Sequence, residues 1–359
     1  MLKLRRGTVT ATDPLTVEVG GEERRAWADE GMVGEVRAGD EVVLNTEALD
    51  LGLGSGGFDL VHANLTRGLE APGADGPHVM KLNYTSLQHP VEPVEVRDRE
   101  GQAEVDQRVT RRIPVLVLFL HGQLAPAAWA AAQASSGLRV GFVQTPGGAL
   151  PGSLSRNVAE LRERGLLTDH VTAGPAHGGE REAIGVVGGL HAAAESLGWD
   201  AVIAGPGPGI LGSATLYGHG GMAALDTAHA ALALGLETLV APRLSAGDER
   251  ERHRGLSHHT EAVLRLLLGG VRVPVPEVDD ELWPTGEYGA GETPLDRLRE
   301  ACGDRHDVWV REVALDGYAS SGLPTTTMGR ELAEDRLFFA AALAAGDALA
   351  ASARRGGRG

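Results

Sequence analysis

Lysine is almost missing from this sequence: of its 33 basic residues only Lys3 and Lys81 are lysines, and the rest are arginines. A Walker-type phosphate loop needs a Gly-Lys-Ser/Thr step and Schiff-base chemistry needs a lysine amine, so both are excluded unless Lys81 serves. Cysteine is scarcer still. The single Cys302 can neither close an intrachain disulfide nor build a thiolate cluster, which fits a reducing cytosol. Long apolar runs are also missing, since even a run such as Ile113 to Leu120 falls far short of the roughly 20 residues a membrane helix needs. The opening "MLKLRRGTV" carries no apolar core of a signal peptide. Acidic residues outnumber basic ones 49 to 33, giving a net charge of −16 without long blocks of one sign, which argues against a nucleic-acid partner. These absences describe a soluble, cytoplasmic protein that uses neither membrane nor nucleic acid. What is present, 359 residues with 42% apolar and 23% charged, is ordinary for a folded chain with one large core or two smaller ones.

The pattern changes along the chain. From Leu4 to about Leu65, short β-prone runs ("GTVTATDP", "LTVEVGGE", "AGDEVVLN", "FDLVHANL") are punctuated by Gly-Gly, Asp-Pro and Gly-Asp, which reads as a small antiparallel β-barrel or sandwich over residues 1–68. Residues 69–110 read as a surface loop ("LEAPGADGP") followed by a linker or docking segment. From residue 111 onward, buried-type strands alternate with helices: "IPVLVLFL", "LAPAAWAAAQAS", "RVGFVQT", "SLSRNVAELRERG" with a Ser cap, "HVTAG", "EREAIGVVGGLHAAAESLG", "DAVIAG", "GMAALDTAHAALALG", "ETLVAPR" and a helix at Thr260–Leu268. Parallel neighbours require crossover helices, so this alternation predicts a doubly wound α/β domain with a mostly parallel sheet. The tail adds a strand, "DVWVREV", and an Ala-rich helix expected to pack on the sheet.

Ligands of open parallel sheets bind beyond the carboxyl ends of the strands. Those ends carry His121 and Gln123 after the first strand, Thr145 after the second, and "GPAHGGE" after the third. After the fourth comes "GPGPGILGSAT". Gly205, Gly207, Gly209 and Gly212 free the backbone to approach a ligand, and Ser213 and Thr215 add hydroxyls, so a phosphate or carboxylate is the expected guest. The G-x-G-x-x-G within it is a weak dinucleotide signal, because the only acidic residues near the ribose-reading distance are Asp226 and Glu237. A tight turn without ligand is the competing reading. After the fifth strand comes "RLSAGDERERHRGLSHHT", holding Asp248, Arg250, Arg252, His253, Arg254, Ser257, His258 and His259. With Ser257 as cap, His258 and His259 take the first two helical positions, where the helix dipole keeps imidazole neutral and fit for acid/base work. Adjacent helical residues diverge by about 100°, so a metal would instead pair His258 with Glu261, joined by His253. Metal-ligand spacing is otherwise absent, and a divalent cation stays an open alternative. In an extended loop Arg250, Arg252 and Arg254 form a comb for an anionic substrate, or else surface and subunit-interface ion pairs. His191 and His229, inside helical patterns, read as packed or surface groups. The glycine-rich "LGLGSGGFD" (Leu51–Asp59) reads as a connecting turn with a lid as the alternative.

"AGPGPGILGSAT", "RLSAGDERERHRGLSHHT" and the late "TTTMGRELAEDRLFFAAALAAG" resemble an uncharacterised bacterial family known only as a domain of unknown function. The likeness extends to "GDEVVLNTEALDLGLGSGGFDLV" and "HVMKLNYTSLQ" near the start. It implies placement but no activity. The chain departs from the family pattern at "GPAHGGE", where the pattern has its histidine in second place, which weighs against His177 as a catalytic group. It departs again at "GSAT" in place of G-T-G-T, which keeps the hydroxyls of Ser213 and Thr215. The resulting expectation is an enzyme, hydrolase or transferase before lyase or isomerase, acting on a small anionic metabolite. Arg252 and Arg254 neutralise charge, and His253, His258 or His259 serves acid/base chemistry. A non-catalytic sensor, or a homo-oligomer interface at the Arg/His segment, is the alternative.

Overall fold

The computed structural model describes residues 1–53, 56–69, 76–77, 79–96, 109–284 and 293–356. Positions 54–55 of the glycine-rich loop, 70–75 of the expected surface loop and 97–108 of the expected linker lie outside the described residues. Contacts divide the chain into two units, Met1–Val91 and Glu92–Gly359.

In the first unit β1 (Leu4–Thr12), β2 (Leu15–Val19), β3 (Glu22–Trp27), β4 (Glu41–Asn45) and β5 (Asp59–Asn64) close into a barrel in the order β1-β2-β3-β5-β4. The barrel is mixed rather than wholly antiparallel, because β3 and β5 run parallel. A ring of five strands cannot alternate direction all the way round, so closure forces one parallel pair. Alternation along the strands sends Val9, Val17, Val42, Leu44 and Val61 inward, joined by Val33 from the short helix α1 (Glu30–Val33). A second short helix, α2 (Glu47–Asp50), brings Asp50 to Arg24, which also bonds the buried Asp59. The hairpin of β6 (Val79–Lys81) and β7 (His89–Val91) completes the unit.

The second unit is built on one eight-stranded sheet, parallel throughout. Its strands are β8 (Pro114–Val117), β9 (Val140–Thr145), β10 (Asp169–Ala173), β11 (Arg181–Ala183), β12 (Ala201–Pro206), β13 (Glu237–Val240), β16 (Arg272–Pro276) and β17 (Asp307–Arg311), in the order β11-β10-β9-β12-β8-β13-β16-β17. Two-residue strands β14 (Leu244–Ser245) and β15 (Gly255–Leu256) pair outside it, as do β18 (Thr326–Thr327) and β19 (Arg330–Glu331). The inner strands are buried along their whole length, which explains their unbroken apolar runs. One helical layer holds α3 (Leu124–Ala134), α4 (Arg156–Glu163), α9 (Leu315–Ala319) and α10 (Arg336–Gly356). The other holds α5 (Val186–Glu195), α6 (Ala223–Ala233), α7 (His258–Leu266) and α8 (Pro294–Cys302). Helix α10 is apolar and long enough to cross a membrane, yet 83% of its most apolar window is buried inside the fold, against α3 and the sheet.

One expected helix is shorter than its pattern. Within "EREAIGVVGGLHAAAESLG", Arg181–Ala183 forms the edge strand β11 and α5 starts only at Val186. Glu95 Oε1 takes the amides of Ile184 and Gly185 at 2.8 and 3.3 Å, which stops the strand and fixes the start of the helix. The chain leaves β8 toward β9 on one side, returns at β12 and crosses β8 to reach β13 on the other. The loops after β8 and β12 therefore part from each other, and a crevice opens between them.

Candidate functional site

That crevice is a cavity of about 1050 Å³. Its wall is drawn from the segments after β8 (His121, Gly122), after β12 (Pro208 to Ser213) and after β13 (Arg243, Gly247 to Arg250, Arg252, His253), with His259 from α7 and the β18–β19 hairpin (Thr326 to Arg330). Asp335, fully buried at the foot of α10, shapes one side. It accepts from the Ser245 hydroxyl at 2.6 Å and from the amides of Ala246 and Gly247, pinning the loop that carries Asp248.

Four arginines reach this wall: Arg243, Arg250, Arg252 and Arg330. Asp248, also buried, organises them. It pairs with Arg243 at 3.0 Å and Arg250 at 2.8 Å, and Arg330 stands 3.6 Å away. Desolvation opposes the charge on Asp248, but bonds to Arg250 and the field of Arg243 win and hold its carboxyl well below the usual range. Burial lowers Arg243 to about 10, opposed by Asp248, so it remains a cation at neutral pH. Its Nε is buried without a hydrogen-bond partner among the described residues. Arg252 is exposed and lines the wall. The expected comb does not form: Glu251–His253 make a 3-10 turn, Arg250 folds back onto Asp248, and Arg254 lies outside the wall. A turn breaks the two-residue alternation on which the comb depended.

The glycine-rich loop after β12 serves the protein's own backbone more than open space. A Cβ on Gly205 would lie 2.8 Å from Leu118, and one on Gly207 only 2.3 Å from the Ala149 carbonyl, so these two glycines permit close packing of chain on chain. Gly209, at φ +74°, turns the chain into the cavity wall. From Leu211 to Gly220 the loop doubles back as a hairpin, with Gly220 N donating to Leu211 O and Ser213 N to Gly218 O, both at 2.7 Å. The hydroxyls of Ser213 and Thr215 bond each other at 2.7 Å, and Ser213 also donates to Gly218 O, so they hold the hairpin together. Ser213 touches the cavity and Thr215 does not.

The hairpin delivers His219, which the sequence reading passed over. Its ring stacks on His259 with centroids 3.6 Å apart. His258 and His253 complete a cluster of four rings, each 4.4 to 5.4 Å from at least one other member. Ser257 caps α7 as expected, accepting from His259 N, and it bonds His253 Nδ1 at 2.8 Å. Burial is the chief cause of low basicity throughout: His253 falls to about 3 and His259 to about 2, with His219 and His258 also lowered. All four are neutral at pH 7. His258 and His259 were expected to diverge, but nitrogen atoms of His219, His258 and His259 all lie within 4.8 Å of one another. Glu261 takes no part, being paired with Arg265 at 2.8 Å and Arg297 at 2.9 Å.

Other expected rim residues stabilise strand ends. Gln123 is fully buried; its carbonyl oxygen accepts from the Phe119 and Leu120 amides and its amide group donates to the Ala241 and Pro242 carbonyls. Thr145 donates to Pro146 O. His121 lines the cavity, bonded through Nδ1 to Pro206 O and through Nε2 to Ser155, the residue that caps α4. His177 is buried but outside the wall, His229 accepts from Leu268 N, and Glu237 is bonded to Ser352 and Arg272.

No curated protein and no solved structure matches the chain. The family model described as "Protein of unknown function (DUF3866)" matches residues 25–346, from inside the barrel to the middle of α10, and the chain belongs to that family.

Proposed function

We propose that this protein is an enzyme that binds a small anionic metabolite, a phosphate or carboxylate, in the cavity at the carboxyl edge of its sheet, and that its chemistry is hydrolysis or group transfer. The observation that carries this reading is the pair of arginines on the cavity wall, the buried Arg243 and the exposed Arg252. A guanidinium fork matches the two oxygens of a carboxylate or phosphate, and burial strengthens the attraction by thinning the solvent around it. Asp248 satisfies part of the arginine charge and leaves Arg252 to meet the ligand. The loop Gly209–Ser213 adds backbone to the same wall. His253, neutral, buried and held in place by Ser257, is the general base of the reading.

The test is a thermal-shift screen of the whole protein against inorganic phosphate, phosphorylated sugars and di- and tricarboxylates. A ligand at about 100 times its Kd stabilises the fold by roughly 2.7 kcal/mol, which moves the midpoint by several degrees. We expect a hit whose shift is lost in Arg252→Ala. With the hit as substrate, His253→Ala is expected to abolish turnover while the ligand still shifts the melt. If no anion shifts the wild-type midpoint, the reading fails.

A further inference from the structure

We propose that His219, His258 and His259 form a binding site for a divalent transition-metal ion of the zinc class, set in the wall of the same cavity. Three independent features of the structure converge on it.

The first is the set of unused nitrogens. His219 Nδ1, His258 Nε2 and His259 Nδ1 are all buried and without a hydrogen-bond partner among the described residues. An unsatisfied buried polar atom costs about 1–3 kcal/mol, and three in one cluster ask for a shared guest. The second is tautomer control. His219 Nε2 faces the Leu216 carbonyl at 3.0 Å and His258 Nδ1 faces the Arg252 carbonyl at 3.2 Å. A carbonyl only accepts, so each ring carries its proton on that side and turns a lone pair toward the cluster, the same backing that orients histidines around metals. The third is space. A Cβ on Gly221 would stand 3.0 Å from His219 Nδ1 and 3.1 Å from His259 Nδ1, so any side chain there would crowd the gap between the two nitrogens. Glycine leaves it open.

The two adjacent histidines converge because they use different nitrogens. His258 reaches with its distal Nε2 and His259 with its proximal Nδ1, which offsets their angular separation on the helix. Imidazoles without a carboxylate suit zinc, cobalt, nickel or iron and disfavour magnesium and calcium, which take oxygen ligands. A three-histidine set leaves one tetrahedral position for a water or substrate oxygen, as catalytic rather than structural sites do. His259 belongs both to this set and to the cavity wall. Bonds of about 2.0–2.1 Å lie in the imidazole planes, so His219 and His259, stacked 3.6 Å apart and within 10° of parallel, must turn out of their stack to share an ion.

The site stands apart from the anion reading and deepens it: an ion here would polarise a ligand held by the arginines. The experiment uses the purified, chelator-stripped full chain titrated with Co²⁺ or Zn²⁺ alone. We expect one equivalent of Co²⁺ with a tetrahedral visible spectrum, displaced by Zn²⁺, and a loss of affinity of tenfold or more in His219→Ala and in His258→Ala. Gly221→Ala, which retains every imidazole, is expected to weaken binding similarly. His170→Gln removes a histidine from elsewhere in the sheet, and Arg252→Ala removes only the proposed anion contact; both are expected to bind Co²⁺ as wild type does. A folded wild type that takes up neither ion at micromolar concentration overturns the site, as does unchanged uptake in the His219→Ala/His258→Ala double variant. Loss of anion binding in Arg252→Ala with normal Co²⁺ uptake leaves both readings standing, and metal uptake without any anion response rejects the anion reading alone.

Discussion

Replacing Asp248 by Ala isolates the electrostatic centre of the cavity. The carboxylate is 2% exposed and faces Arg243, also 2% exposed, at 3.0 Å. Among the described residues, beyond Asp248 the Arg243 guanidinium bonds only Met328 Sδ, weakly, at 3.5 Å. Truncating the acid strands a buried guanidinium, and breaking one half of a buried pair costs about 3–5 kcal/mol. For a unit of this size each kcal/mol lowers the midpoint by about 2–4 °C, so the melt is expected to fall by roughly 6–20 °C. Arg250 and Arg330 retain solvent access of 47% and 17% and add less. The sharper measurement is the cycle: Asp248→Ala, Arg243→Met and the double variant, each unfolded in urea and followed by circular dichroism. If the cost is that of a stranded charge, the double variant recovers much of the loss, because an apolar pair of similar volume needs no partner. A loss below about 1 kcal/mol in Asp248→Ala, or a double variant that equals the sum of the two singles, refutes the reasoning.

Two further outcomes follow from the sheet and the loops at its carboxyl edge. His121 and His170 are each lowered to about 4, chiefly by burial, from an ordinary value near 6.5. Their stabilising contribution is complete above about pH 6.5 and is lost as pH falls toward 4, where the unfolded chain takes up protons that the fold resists. The shifts correspond to something on the order of 3 kcal/mol each. The urea midpoint is expected to drop between pH 7 and 4.5, and to drop less in His121→Gln and in His170→Gln; parallel pH profiles in wild type and variants would contradict this. Gly207→Ala places a methyl 2.3 Å from the Ala149 carbonyl, a backbone atom with little freedom to retreat. We expect a loss of about 1–3 kcal/mol with no ligand present, read from the same urea curves, whereas a glycine kept only for ligand access would leave apo stability unchanged.

The fold class was written in the period of the sequence. Runs such as "IPVLVLFL" are apolar at every position because both faces of β8 are covered, and helices between such runs leave only a parallel sheet. Ser257 announced the start of α7, and the Ser cap expected for "SLSRNVAELRERG" falls on Ser155; both bond as caps there. The edges were harder to read. Strand β11 holds three residues inside a helical pattern, and what stops it is Glu95, some ninety positions away. The parallel pair in the barrel was unreadable for a different reason: it follows from closing an odd number of strands, a property of the ring that no segment carries.

The same distinction governs the site. The Arg/His segment declared itself by local density, yet its geometry depends on partners that local density does not reveal. Asp248 turns Arg250 out of the comb, and the hairpin from Leu211 to Gly220 carries His219 back over α7. His219 had one local signal, its setting in "GHGG": a histidine among glycines is one whose backbone bends sharply and whose neighbours give room, as Gly221 does between the ring nitrogens. Spacing rules for metal ligands assume that every histidine reaches equally far. When one ring ligates through Nδ1 and its neighbour through Nε2, adjacent residues converge, and no H-x-x-x-H spacing is needed. In the proposed site the nitrogen that His219 and His258 offer is set by the carbonyl opposite the other one, Leu216 and Arg252, so this part of the pattern belongs to the folded backbone rather than to the sequence interval.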